Sequence, residues 1–192
     1  SEGTSFTLVH NEERSDFVTP VIGRHNVLNI VGALAMAHEL GMSYEELHPQ
    51  VRKLQSVPHR LQLLDRGNVA LIDDAYNSNP TGAKAALDTL ALFKGFRILV
   101  TPGMVELGEK MEECNRTFGK QAAKACDYAI LVGKRQAEPI LQGLLEGGFP
   151  KEKIYVAETI GEAISVAYSL PTGGEKPIIL LENDLPDRKS VV

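Results

Sequence analysis

Two adjacent carboxylates, an aromatic ring and two amides are crowded into Asp73-Asp74-Ala75-Tyr76-Asn77-Ser78-Asn79, with Pro80 next. Val69 to Ile72, just before, is a short apolar run, the pattern of a strand buried on both faces of a parallel sheet. Successive strand residues point to opposite faces, so Asp73 and Asp74 are not expected to act as one carboxylate pair. One can line a crevice while the other braces the loop. A strand-tip carboxylate can accept hydrogen bonds from ribose hydroxyls, or it can simply tie the turn to the next helix. Tyr76, Asn77 and Asn79 add a stackable ring and amides that donate and accept. They suit base edges or amide-bearing substrates, or ordinary turn chemistry.

Three further groups have the right chemistry. His25, Asn26 and Asn29 open an apolar helix, and the two asparagines, three apart, share a face. Amides there need partners, either a ligand base or, for Asn26, the helix end. In Thr101-Pro102-Gly103-Met104-Val105-Glu106-Leu107-Gly108, two glycines allow close backbone approach. Glu106 can meet a substrate ammonium or cap a helix. Arg60, beside Pro58, can reach a phosphate across an interdomain cleft or lie exposed. Neither Gly-x-x-x-x-Gly-Lys-Ser/Thr nor Gly-x-Gly-x-x-Gly occurs in the chain.

The elements needed to hold these residues follow a regular pattern. Thr4 to Val9 is expected as a strand, Asn11 to Asp16 as a charged connection, and Phe17 to Ile22 as an edge strand broken by Pro20. A helix from about Asn26 to Leu40 is apolar nearly all round between Ile30 and Ala37, which predicts burial. Gly41 ends it. Ser43 and Glu46 form a capping box for a second helix to about Gln55. Ser56-Val57-Pro58 is the expected boundary. Beyond it, strands at 61–64, 69–72, 97–101, 128–132, 154–157 and 177–181 alternate with helices at 80–93, 109–125, 136–145 and 160–170. In the second of these helices Met111, Cys114, Phe118, Ala122 and Ala125 share one stripe. The alternation predicts an α/β fold with a mostly parallel, Rossmann-like sheet. In a right-handed sheet the loop after Thr101 is expected to neighbour the Asp73 loop. Residues 1–56, two strands and two helices, look like the end of a larger domain, and 57–192 like a domain of their own.

Bulk properties narrow the field. Of 192 residues 43% are hydrophobic, enough to build a core, and the net charge of −5 comes without any Lys/Arg run. No nucleic-acid or membrane-surface partner is expected. Cys114 and Cys126 lack metal-ligand spacing and are expected as small hydrophobes in a reducing compartment. No signal peptide is expected, and no apolar run nears the ~20 residues of a membrane span.

Taken together, three segments resemble the Mur ligase family, ATP-dependent enzymes that add amino acids to peptidoglycan precursors. Gly23-Arg24-His25-Asn26-Val27-Leu28-Asn29-Ile30 is similar to the His-Asn helix start late in the family's central ATPase domain. His59-Arg60-Leu61-Gln62 resembles the Gly-Arg motif that opens its C-terminal domain. Asp73 to Pro80, with Met104 to Gly108, most resembles the D-alanyl-D-alanine-adding MurF branch. Two departures stand out. His59 occupies the usual glycine position and Gln62 that of an acid, while Thr101-Pro102-Gly103 stands where Leu-Gly-Asp is common.

The resemblance implies a Rossmann-like C-terminal domain preceded by a remnant of the central ATPase domain. It implies ATP as co-substrate, with the P-loop and the Mg2+ ligands upstream. UDP-MurNAc-peptide and D-Ala-D-Ala would be the small-molecule partners, and the protein would be cytoplasmic. His25, Asn26, Asn29, Arg60, Asp74 and Asn77 would be on the ATP side. Asp73, Tyr76, Asn79, Met104 and Glu106 would be on the side of the incoming amine. No catalytic residue is expected within these 192 residues, and the chain alone is expected to be inactive. The competing readings are a non-catalytic nucleotide-binding module, a MurF-like ligase with another amine, and a folylpolyglutamate-synthase-like ligase. The Tyr-Asn-x-Asn-Pro loop disfavours the last.

Overall fold

A computed structural model of the chain describes residues 3–76 and 78–183. β1 (Thr4–His10) and β2 (Glu13–Thr19) form an antiparallel hairpin with Thr4 opposite Thr19 and His10 opposite Glu13. Asn11 and Glu12 join them with φ of 47° and 71°, the left-handed pair of a two-residue hairpin turn. The charged stretch expected as a connection is therefore mostly strand. Alternation turns Arg14 outward and Phe17 inward, which composition alone misreads as loop. β2 also stops at Thr19, before Pro20, rather than running to Ile22.

α1 (Arg24–Glu39) and α2 (Tyr44–Arg52) pack on this hairpin. The shared cluster is Phe17, Ile30, Leu34, Tyr44, Leu47 and Val51. Ser43 and Glu46 form the expected capping box. The expected burial of the whole 30–37 stretch does not occur: within it only Ile30 and Leu34 are buried, and Met36 is mostly exposed, as are Leu28 and Leu40 on the flanks. One hairpin and one short helix can cover a single stripe of α1, and its other apolar face meets solvent.

The second sheet has strand order β3-β4-β8-β5-β6-β7. Its strands are β3 (Gln62–Asp65), β4 (Ala70–Asp74), β5 (Phe96–Thr101), β6 (Tyr128–Val132), β7 (Ile154–Ala157) and β8 (Pro177–Glu182). β3 runs antiparallel to β4, and the other neighbours are parallel. α3 (Pro80–Leu90), α4 (Met111–Ala122) and α5 (Lys134–Glu146) cover one face. α6 (Ile160–Ser169) covers the other, packing Ile160, Ala163 and Ala167 on Ile98, Val100 and Ile179. This is the mostly parallel, doubly wound α/β sheet that the alternating pattern implies. In α4 the predicted stripe is incomplete: Phe118 and Ala122 are buried, but Met111 at the first turn is exposed.

One expectation about order fails. β4 and β5 are not neighbours, because β8 lies between them. Ile178 to Leu181 are all buried, as suits a strand with a partner on each side and helices on both faces. The loops after β4 and β5 are thus separated by the tip of β8.

Candidate functional site

β4 extends through both acidic residues, so Asp73 and Asp74 are its last two positions. Their carboxylates leave on different sides, yet both engage the segment before β3. His59 Nδ1 donates to Asp73 Oδ2 at 2.8 Å, and the Leu61 N–H donates to Asp74 Oδ1 at 2.9 Å. Asp73 Oδ1 also accepts the Ala75 N–H at 3.2 Å. His59 and Leu61 have φ of 60° and 50°, a region costly for side-chain-bearing residues. The two carboxylates hold this strained bend in place.

The bend presents Arg60. Its guanidinium carbon lies 4.5 Å from the centre of the Tyr76 ring, a cation–π arrangement, and both side chains are exposed. Asp74, half-buried, has its carboxyl pushed up by burial, against the Leu61 hydrogen bond and the charges of His25 and Arg60; the Asp73 charge raises it further. His25, Arg60 and Asp74 therefore share one electrostatic corner, with Tyr76 on its rim. A partly buried anion facing cations and an exposed ring can accept from hydroxyls and stack on a flat ligand.

Other expected residues are placed differently. Asn26 Nδ2 donates to the Ile22 carbonyl at 2.9 Å, so the amide fastens the start of α1. Asn29, exposed, borders a groove of about 380 Å³ between α1 and α2, lined by Ile30, Leu34, Leu47 and Val51. Asn79 caps α3, its Oδ1 accepting the N–H groups of Thr81 (3.1 Å) and Gly82 (2.9 Å), with Pro80 in the first turn. Asn77 lies outside the described residues. Met104, expected to hold a substrate, is a core residue at 1% exposure. Asn115, also buried, clamps its backbone, accepting the Met104 N–H at 2.8 Å and donating to its carbonyl at 2.8 Å. Glu106 is exposed with φ of 62°, and it caps no helix.

Three residues were missed from sequence: Asn115, Glu182 and Asn183. Glu182 ends β8 at the level of Asp74 and is wholly buried. A carboxylate straight after an apolar run is the signal that picked out Asp73, and it is present again in Leu180-Leu181-Glu182. Burial and the Asp74 charge push the Glu182 carboxyl up to about 7, against hydrogen bonds from Ser78 and Thr101.

A family model described as Mur ligase, glutamate ligase domain, matches residues 59–181. The chain belongs to the Mur ligase family. Among curated Mur ligases, the UDP-N-acetylmuramoyl-tripeptide–D-alanyl-D-alanine ligase of Escherichia coli (strain K12) is 38% identical over 140 residues, 70% of this chain and 30% of that protein. Among solved structures, MurF from Acinetobacter baumannii superposes with a TM-score of 0.75 at 27% identity, over 94% of this chain and 39% of that one. MurF from Thermotoga maritima, solved in complex with ADP, has the same fold at a TM-score of 0.75 and 20% identity. This Mur ligase chain therefore spans about a third of the relatives it matches. Its sheet is that of the Mur ligase C-terminal domain. Among the described residues no group of three or more His, Cys, Asp or Glu side chains is placed to hold a metal ion, and no helix is long and apolar enough to cross a membrane.

Proposed function

We propose that this chain is the C-terminal part of an ATP-dependent, amide-bond-forming ligase of peptidoglycan precursor synthesis. The ligase adds D-alanyl-D-alanine to a UDP-MurNAc-tripeptide. The reading is carried by the electrostatic corner of His25, Arg60, Asp74 and Tyr76 at the carboxyl edge of the sheet, the edge where open α/β sheets bind ligands. The 38% identity to the Escherichia coli enzyme supports the substrate pair, and the ADP complex of the Thermotoga maritima enzyme supports the nucleotide.

In this reaction the acceptor's terminal carboxylate takes a phosphoryl group from ATP. The amine nitrogen of the incoming dipeptide attacks the acyl carbon of that acyl-phosphate, its proton is lost, and inorganic phosphate leaves. The residues here bind and orient. Asp74 accepts from the nucleotide's hydroxyls and Arg60 offers a charge to its phosphates. Tyr76, with Glu106 on the next loop, faces the amine. Bringing this edge over the nucleotide sets the amine against the acyl carbon, which is catalysis by positioning. The exposed apolar face of α1 fits a helix that is covered by further chain in the complete ligase. The phosphate cradle and the Mg2+ ligands belong to that further chain.

The test is turnover by the full-length protein, read as phosphate release dependent on both UDP-MurNAc-tripeptide and D-Ala-D-Ala. The 192-residue chain alone is expected to release none. Dependence on another amine would move the protein to a relative of different specificity. His59 in the usual glycine place and the Thr101-Pro102-Gly103 turn are the departures that favour that outcome. Absence of ligation with every amine would leave a nucleotide-binding module.

A further inference from the structure

Because β8 separates β4 from β5, whatever stands at its tip touches both flanking loops. Glu182 and Asn183 stand there, 0% and 1% exposed. Ser78 Oγ donates to Glu182 Oε1 at 2.5 Å, and Thr101 Oγ1 donates to Glu182 Oε2 at 3.4 Å. Asn183 Oδ1 accepts the Ser78 N–H at 3.0 Å, Asn183 Nδ2 donates to the Gly103 carbonyl, and the Asn183 N–H donates to the Asp74 carbonyl at 3.2 Å. One carboxylate and one amide thus bridge the loop after β4 to the loop after β5. Thr101 Oγ1 in turn accepts the Gly103 N–H at 3.0 Å. Asn183 makes these bonds with φ of 70°, a backbone conformation that asparagine tolerates better than most residues. A buried carboxylate without access to solvent is poorly placed to touch a substrate, and well placed to hold what does.

We propose that Glu182 and Asn183 are positioning residues that lock the loops after β4 and β5 into one arrangement, so that the two ligand-facing loops move as a unit. Only the description of those loops as ligand-facing rests on the ligase reading. The charged group facing the bridge is Asp74 on β4, which itself feels Asp73, His25 and Arg60; β5 offers the uncharged Thr101. The anion accepts from both hydroxyls. The neutral acid accepts from one and donates to the other, a pattern that glutamine reproduces.

Backbone hydrogen exchange in the 192-residue chain, without substrate, tests the bridge. Glu182→Ala is expected to speed exchange in residues 74–76, 78–79 and 103–108 together by about tenfold, the scale of one lost buried hydrogen bond, with β6 unchanged. Glu182→Gln is expected to match wild-type protection at about pH 6 and to be at least as protected as the wild type at about pH 8, where the wild-type carboxyl has ionised and the amide has not. Ser78→Ala, at a half-buried site, keeps the test open should Glu182→Ala not fold; it too is expected to loosen both loops. Loosening confined to one loop, no loosening in a folded variant, or Gln behaving as Ala at about pH 6 would overturn the proposal. Turnover plays no part in this readout, so it fails or stands separately from the ligase reading. In the full-length protein, Glu182→Ala is then expected to raise KM for the amine more than KM for ATP, and Glu182→Gln to raise it less.

Discussion

His59 donates a hydrogen bond to Asp73 across 2.8 Å from a backbone with φ of 60°. The Mur ligase pattern has glycine at this place, and the structure supplies the reason: the bend toward Arg60 needs a left-handed residue. Histidine accepts the strain and gains a buried carboxylate partner. His59→Ala should keep the strain and lose the bond, while His59→Gly loses the bond and relieves the strain. The Gly variant is therefore expected to be more stable than the Ala variant by about 1 kcal/mol in urea unfolding. An Ala variant equal to or more stable than Gly would refute this account of the bend.

Asp74 acts on the same bend through the Leu61 N–H. Leu61 is buried, so Asp74→Ala leaves that donor unpaired at a cost of about 1–3 kcal/mol. Asp74→Asn keeps an acceptor and should cost less than half as much. Thermal melts of both variants, with exchange of the Leu61 amide, decide between them.

Arg60 over Tyr76 is a surface pair. Arg60→Ala is expected to change the stability of the chain by about 1 kcal/mol or less. In the full-length ligase the same change should raise KM for ATP by about tenfold or more, the scale of one charge-assisted hydrogen bond. A large loss of stability with KM unchanged would place Arg60 in the fold and outside the nucleotide site.

Glu182 makes stability depend on pH. Its folded value of about 7 lies above the ordinary 4.5, so between these values the native state holds a proton that the unfolded state has released. Its stabilising contribution is complete below pH 4.5 and is lost as pH rises through about 7. The loss amounts to at most about 3 kcal/mol. The raised carboxyl of Asp74 acts in the same direction. Urea midpoints from pH 4.5 to 8 should fall for the wild type and stay flatter for Glu182→Gln; parallel curves would dismiss the linkage.

The two thiols should differ sharply. Cys126 is buried and its thiol is pushed up to about 12, chiefly by burial. Cys114 is half-buried on α4. A native-state titration with a thiol reagent is expected to show one accessible group and one that reacts only on unfolding.

Much of this chain can be read locally. The capping box at Ser43, the Asn79 cap with Pro80 after it, and the apolar runs of β4 and β6 depend on neighbours within a few residues. Spacing alone reveals them. The position of two acids at the end of β4 is legible for the same reason. What local pattern hides is a partner distant in sequence. Met104 sits in a polar, glycine-bordered motif, yet its side chain is core because Asn115, eleven residues on, holds its backbone. The apolar girth of α1 promised burial, but the number of elements available to cover it is a tertiary fact.

The α/β alternation, the Mur ligase resemblance and the acidic strand tip are all legible in the order of residues, because periodicity and capping are carried by neighbours along the chain. Packing in three dimensions is what puts β8, last of the described strands, in a central slot and brings Glu182 and Asn183 between the loops of β4 and β5. Strand order is set by which faces bury best against one another across more than a hundred residues, and no local spacing records it.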